Sequence, residues 1–150
     1  MVAELRMDAH SVVLLDGDDV RDALLNDLAF SEADRSVQFE RLLGLAALLN
    51  NQVEFVVVCA VSFFERSFFS KSGGFERVVV VRIDATQEAL TFRNQRGLYG
   101  SGLGDGPAPN LPGVNQKWMR PERPDFIFHA DLSGGPDVSS ADFKAVLYSR

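Results

Sequence analysis

The chain is short of basic charge, of lysine and of cysteine, and each shortage removes a class of function. Fifteen lysines and arginines face 21 aspartates and glutamates, for a net charge of −6. A chain this acidic has no general grip on nucleic acid or on an anionic membrane, although a local basic pocket remains open to it. The single cysteine, Cys59, has no partner for an internal disulfide, which excludes a disulfide-stapled secreted fold. It lies in the apolar run 55–61 and reads as a buried structural thiol, since a reactive one needs exposed, cationic surroundings. The longest greasy stretch, residues 55–64, is about half of what a membrane-spanning helix needs. Residues 1–8 carry Glu4, Arg6 and Asp8 and lack the apolar segment of a signal peptide, so the expected location is the cytoplasm.

What is present suits one globular domain over residues 1–150, with 46% hydrophobic and 24% charged residues. Residues 10–15 form a short buried strand stopped by Asp16-Gly17-Asp18-Asp19. Val20, Leu24 and Leu28 then recur at helical spacing, with Asp18 or Asp19 placed to cap the first turn. Ser31 and Asp34 make a capping-box arrangement that opens a long helix, ended by Asn50-Asn51. Residues 53–61 and 78–83 are strands apolar on both faces, as central parallel strands are. The phenylalanines from Phe63 to Phe69 suggest a short helix that Gly73-Gly74 terminates. Thr86 is placed to cap a helix over residues 87–93. Residues 97–124 are dense in glycine and proline and read as a loop or lid. A strand over 125–130 and a helix capped by Ser139 or Ser140 close the chain. Strands alternating with helices predict an α/β domain with a parallel sheet, and in such sheets ligands sit at the carboxyl ends of the strands.

Two segments there carry groups with chemistry. In Asp16-Gly17-Asp18-Asp19-Val20-Arg21 two carboxylates share a strand tip. Such a pair can hold Mg²⁺ through water and orient a hydroxyl, and helix capping is the simpler use of the same residues. Arg21, one turn on, is placed to meet a phosphate or sulfate. The second segment is Leu28-Ala29-Phe30-Ser31-Glu32-Ala33-Asp34-Arg35. His10 and His129 have no cysteine or histidine spaced for a metal. The glycines at 100, 102, 104 and 106 follow no strand, so a flexible lid explains them better than a phosphate loop.

Taken together, the two segments resemble the adenylyl-sulfate (APS) kinase family, which pairs Asp-Gly-Asp-Asn-x-Arg with Leu-Gly-Phe-Ser-x-x-Asp-Arg at this distance. Arg93-Asn94-Gln95-Arg96-Gly97-Leu98-Tyr99 is similar to the family's Arg-Asp-x-Lys-Gly-Leu-Tyr. Residues 110–115 fall where the family has Asn-Phe-Thr-Gly-Ile-Asp, and 121–128 resemble its closing Pro-x-x-Pro-Glu strand. The resemblance implies a three-layer, P-loop NTPase-like parallel sheet and a kinase of sulfate assimilation. In that family, ATP with Mg²⁺ gives its γ-phosphoryl group to the 3′-hydroxyl of adenylyl sulfate. By position it assigns Asp16 and Asp18 to catalysis, with Asp16 serving Mg²⁺ indirectly. Arg21 and Arg35 are assigned to the phosphosulfate and Phe30 to the adenine. Gln38, Ser62 and Leu111 fall at further substrate positions, and Arg93 and Arg96 near the nucleotide. The implied partners are ATP, adenylyl sulfate or a similar small substrate, and a second copy in a homodimer.

The chain also departs from the family. Gln38 replaces an asparagine, Glu40 an arginine and Leu111 an aromatic, and the lid 101–106 has lost its cations. The lysines are Lys71, Lys117 and Lys144, and none completes the Gly-x-x-x-x-Gly-Lys-Ser/Thr of a P-loop. The resemblance therefore implies that residues 1–9 are the tail of the helix after that loop, with the loop and its strand missing. Poor stability, or association through the resulting gap, is then expected. Alongside the kinase stand two other readings. One is a non-catalytic or truncated relative that binds an adenine nucleotide or a partner. The other is a kinase for a different hydroxyl substrate.

Overall fold

The computed structural model describes residues 2–24, 27–62, 69, 75–93, 97, 110–117, 119–130 and 140–148. It divides into two compact units, Met1–Val78 and Val79–Arg150. The first unit runs α1 (Val2–Met7), β1 (Val12–Asp16), α2 (Gly17–Leu24), α3 (Glu32–Asn50) and β2 (Phe55–Cys59). The second runs β3 (Val81–Ala85), α4 (Gln87–Arg93), β4 (Phe126–Ala130) and α5 (Ser140–Tyr148). The α/β reading therefore holds, and the strand pairs are parallel: β1 with β2, and β3 with β4. No helix among the described residues is long and apolar enough to cross a membrane.

In the first unit the register runs from Val12 opposite Phe55 to Asp16 opposite Cys59. Parallel partners share a face, so Val13, Leu15, Val56 and Val58 point the same way. They meet α3 in a core built on Leu15, Val20, Leu42 and Ala46, with Leu45, Leu49 and Phe75 packed against it. Leu42 is 1% exposed. The helix is held at its start by the expected capping box. Ser31 Oγ accepts the Asp34 amide at 3.2 Å, and the Asp34 carboxylate accepts the Ser31 amide at 3.3 Å.

Helix α1 ends in a Schellman-type turn, in which the His10 amide reaches back to the Leu5 carbonyl and the Ala9 amide to that of Arg6. Ala9 sits at φ 65° there, a place that usually takes glycine. Next to it Glu54 fastens the start of the strand pair. Its carboxylate accepts the Ser11 amide at 2.9 Å and hydroxyl at 3.2 Å, and takes His10 Nδ1 at 3.2 Å. The Glu54 amide donates to Ser11 Oγ in return, at 3.0 Å.

In the second unit Val81 faces Phe126 and Ala85 faces Ala130. Asp125 leads into β4 by accepting the Val80 amide on its carboxylate and donating its own amide to the Val80 carbonyl. Arg82 forks onto Asp84 with two contacts of 2.9 Å. Thr86 caps α4 through the Ala89 amide at 3.1 Å, as the sequence suggested.

Four expectations need correction. The strands start later than the apolar runs, because residues 10, 11, 54 and 80 spend polar groups on turns and clamps. Helix α2 stops at Leu24, so Leu28 is not its third apolar rung. Its cap is Asp16, not Asp18 or Asp19: Asp16 Oδ1 accepts the Asp18 amide at 2.9 Å. Cys59, expected to be buried, is exposed at the end of β2; partial burial, then the Asp16 carboxylate, push its thiol pKa up. Of the suggested helix near Phe63 only Phe69 is described; Arg96 and the lid glycines at 100, 102, 104 and 106 lie outside the described residues, while Gly97, 110–117 and 119–124 of the loop are within them.

Candidate functional site

A cleft opens at the carboxyl ends of β1 and β2, where parallel sheets place their ligands. It is small and shallow, with about 40 Å³ of room for water-sized molecules, and it is open to solvent on one side. Gly17, Asp18 and Arg21 line it from α2, Arg35, Gln38, Phe39 and Leu42 from α3, and Ala60 to Ser62 from the segment after β2.

Gly17 suits a close approach here. A Cβ at this position would stand 3.1 Å from the Cys59 carbonyl oxygen and 3.5 Å from Leu42. Its carbonyl accepts Gln38 Nε2 at 3.4 Å, a long bond. Gln38 is only 4% exposed, and its Oε1 is buried without a hydrogen-bond partner among the described residues. A buried acceptor in that state costs free energy, roughly 1–3 kcal/mol. Ser62 is likewise buried at the cleft.

The segment 27–31 has no regular structure, yet side chains of both neighbouring helices hold it. Asp27 takes a two-pronged contact from Arg41, at 2.7 and 2.9 Å. Arg21 Nη1 donates to the Leu28 carbonyl at 2.9 Å and to that of Ala29 at 2.8 Å. Arg35 Nε donates to the Phe30 carbonyl at 3.2 Å. The Phe30 ring, 49% exposed, lies 4.9 Å from the Arg21 guanidinium carbon and 5.6 Å from that of Arg35. Arg21 is 7% exposed. Burial, and then the charge of Arg21, pull the Arg35 pKa below its ordinary value, while Asp18 acts the other way. Two like charges are thus held around one aromatic face, an arrangement that an anion relieves.

Of the site residues expected from sequence, Asp18, Arg21, Arg35, Gln38 and Ser62 share the cleft, and Phe30 stands beside the two arginines. Asp16 is at the strand tip, with one carboxylate oxygen given to the α2 cap. Leu111 belongs to the other unit, in a turn where its carbonyl accepts the amides of Val114, Asn115 and Gln116. The side chain of Arg93 and all of Arg96 lie outside the described residues. Asp27 and Arg41 escaped the sequence reading, because nothing in a spacing of fourteen residues announces that two side chains meet.

No group of three His, Cys, Asp or Glu side chains gathers for a metal ion among the described residues. The sequence also holds no P-loop motif. Among the described residues, the groups that this cleft brings together suit an acceptor substrate rather than a Mg²⁺-bound triphosphate.

Comparison with known proteins bears on the family. A family model for adenylylsulphate kinase matches residues 1–129. The adenylyl-sulfate kinase of Deinococcus deserti is 33% identical over 128 residues, covering 85% of this chain and 70% of its own length. A probable adenylyl-sulfate kinase of Pseudomonas aeruginosa is 30% identical over 123 residues, covering 82% of this chain and 57% of that protein. Among solved structures, the Mycobacterium tuberculosis APS kinase CysC in complex with AMPPNP and APS is similar at a TM-score of 0.72 and 28% identity. The match covers 95% of this chain and 80% of that one.

Proposed function

Because the chain belongs to the adenylylsulphate kinase family, we propose that its cleft is the acceptor-substrate site of an adenylyl-sulfate kinase-type phosphotransferase. The observation that carries this reading is the pair of guanidiniums gathered around Phe30 at the strand tips. An adenylate bearing a phosphosulfate offers what such a place takes: a flat ring for Phe30 and negative charge for the arginines. Arg35 faces the anion, Arg21 adds to the positive field, and Gln38 and Ser62 supply polar contacts deeper in the cleft. Asp18 lies where a carboxylate would orient the 3′-hydroxyl, with Asp16 shaping the turn that presents it. The phosphate donor in this reading is ATP with Mg²⁺, and the setting is cytoplasmic sulfate assimilation. By family position alone, Leu111 is assigned to the acceptor substrate and Arg93 and Arg96 to the nucleotides.

Calorimetric titration with adenylyl sulfate tests the proposal. Saturable binding is expected, and Arg35→Ala should weaken it about 10-fold or more, the worth of one charged hydrogen bond. Arg120→Ala should leave it unchanged; equal losses for both would contradict the placement of the anion. A coupled assay with ATP and Mg²⁺ then separates a kinase from a relative that only binds.

A further inference from the structure

The arginines at the cleft do not do the same work, and the difference lies in what each guanidinium touches. Arg35 sends one N–H to the Phe30 carbonyl, from the first turns of α3. Arg21 is far more buried, and one of its nitrogens bridges two successive carbonyls, those of Leu28 and Ala29. Arg41, which the cleft does not include, forks onto Asp27 at the start of the same segment. Three consecutive carbonyls and the preceding carboxylate are therefore each tied by an arginine, in a stretch with no helical or strand bonds of its own. The residue so presented is an exposed phenylalanine. An exposed aromatic on an untethered loop would lose rotamer and backbone freedom on stacking with a ligand, and fastening the loop in advance removes that cost.

We infer that residues 27–31 form a strap fixed in advance as a stacking platform, with Arg21 as its main positioning residue, Asp27–Arg41 as an outer clasp, and Arg35 as the charge that meets the ligand. The inference rests on the adenylate reading of the cleft and divides its residues by role. Burial orders the contributions. The Arg21 bonds are charge-assisted and shielded, whereas the Asp27–Arg41 pair is open to solvent, where even forked ion pairs contribute little. Arg21→Lys keeps the positive charge and loses the fork that spans two carbonyls, so it separates position from charge.

The test measures hydrogen exchange in the peptide 27–35 and titrates each protein with adenosine, which is uncharged, and with adenylyl sulfate. Arg21→Lys is expected to speed exchange in that peptide about 10-fold and to weaken both ligands by the same factor. Asp27→Asn, on the surface and safe for folding, should do the same to a smaller extent, about threefold. The charge exchange Asp27→Arg with Arg41→Asp should recover most of that loss. Arg35→Ala should weaken adenylyl sulfate far more than adenosine. Loss of adenylyl sulfate in Arg21→Lys with adenosine affinity and exchange untouched would make Arg21 a direct anion ligand and overturn the inference. Faster exchange with both affinities unchanged would overturn it equally, by showing that the platform does not matter. A wild-type chain that binds neither ligand would overturn the adenylate reading itself, a result distinct from either.

Discussion

The two ends of the β1–β2 pair are built on opposite terms. At the amino end, Glu54, Ser11 and His10 exchange hydrogen bonds in both directions, and the helix before them closes on its own carbonyls. At the carboxyl end, Gln38 keeps a buried acceptor without a partner among the described residues, and Arg21 and Arg35 crowd one ring. Charges and acceptors left at a cost in a fold persist where something else uses them. The amino end secures the register of the strands, and the carboxyl end holds in reserve what a ligand completes.

Removing what both ends share should have the largest effect. Leu42 lies in the core against both strands' inner face and also lines the cleft. Leu42→Ala should cost about 3 kcal/mol by denaturant titration, within the usual span for a buried leucine. A cost below 1 kcal/mol would mean that the core is not where it has been placed. Gln38→Met breaks the comparison from the other side. It deletes the orphan acceptor and only a 3.4 Å bond with it, so the chain should gain about 1 kcal/mol while binding adenylyl sulfate less well. A clear loss of stability would show that the carboxyl end is satisfied after all.

The amino end has one strained point, Ala9 at φ 65°. Ala9→Gly should raise stability by about 0.5 kcal/mol, the relief of the Cβ strain less the freedom glycine adds to the unfolded chain. An unchanged or lower melting temperature would rule the strain out. The smallest effect concerns pH. The Ser11 amide, and then His10, hold the Glu54 pKa below its ordinary value of 4.5. A carboxylate depressed in the fold adds stability above its unfolded pKa and loses it as the pH falls through the folded one. The wild-type melting temperature should therefore drop more steeply than that of Glu54→Gln as the pH falls below about 4.5. Parallel curves would remove the carboxylate from the clamp.

Local chemistry was legible in the sequence, and encounters across the fold were not. Ser31 with Asp34, and Thr86 before α4, announce themselves because cap and capped amide lie within three residues. The pairing of an acidic strand tip with Arg21, Phe30 and Arg35 was readable only through the family resemblance, and α2 and the start of α3 bring Asp18, Arg21, Phe30 and Arg35 close over a short path. Asp16 was missed as the cap of α2 because three acidic residues within four positions can each cap, and only the start of α2 at Gly17 decides among them. The Asp27–Arg41 clasp and the stranded Gln38 oxygen depend on how α3 lies over the strands, which no spacing encodes. Leu111 was assigned by resemblance alone, and it belongs to the other unit.

The most direct test of the cleft's assignment is a nitrogen-15 NMR titration of the whole chain with adenylyl sulfate. Saturable shifts should gather at Gly17, Asp18, Phe30, Arg35, Gln38 and Ser62, while Ser11 and Glu54 stay in place. Shifts that centre on the amino end, or none that saturate, would contradict it.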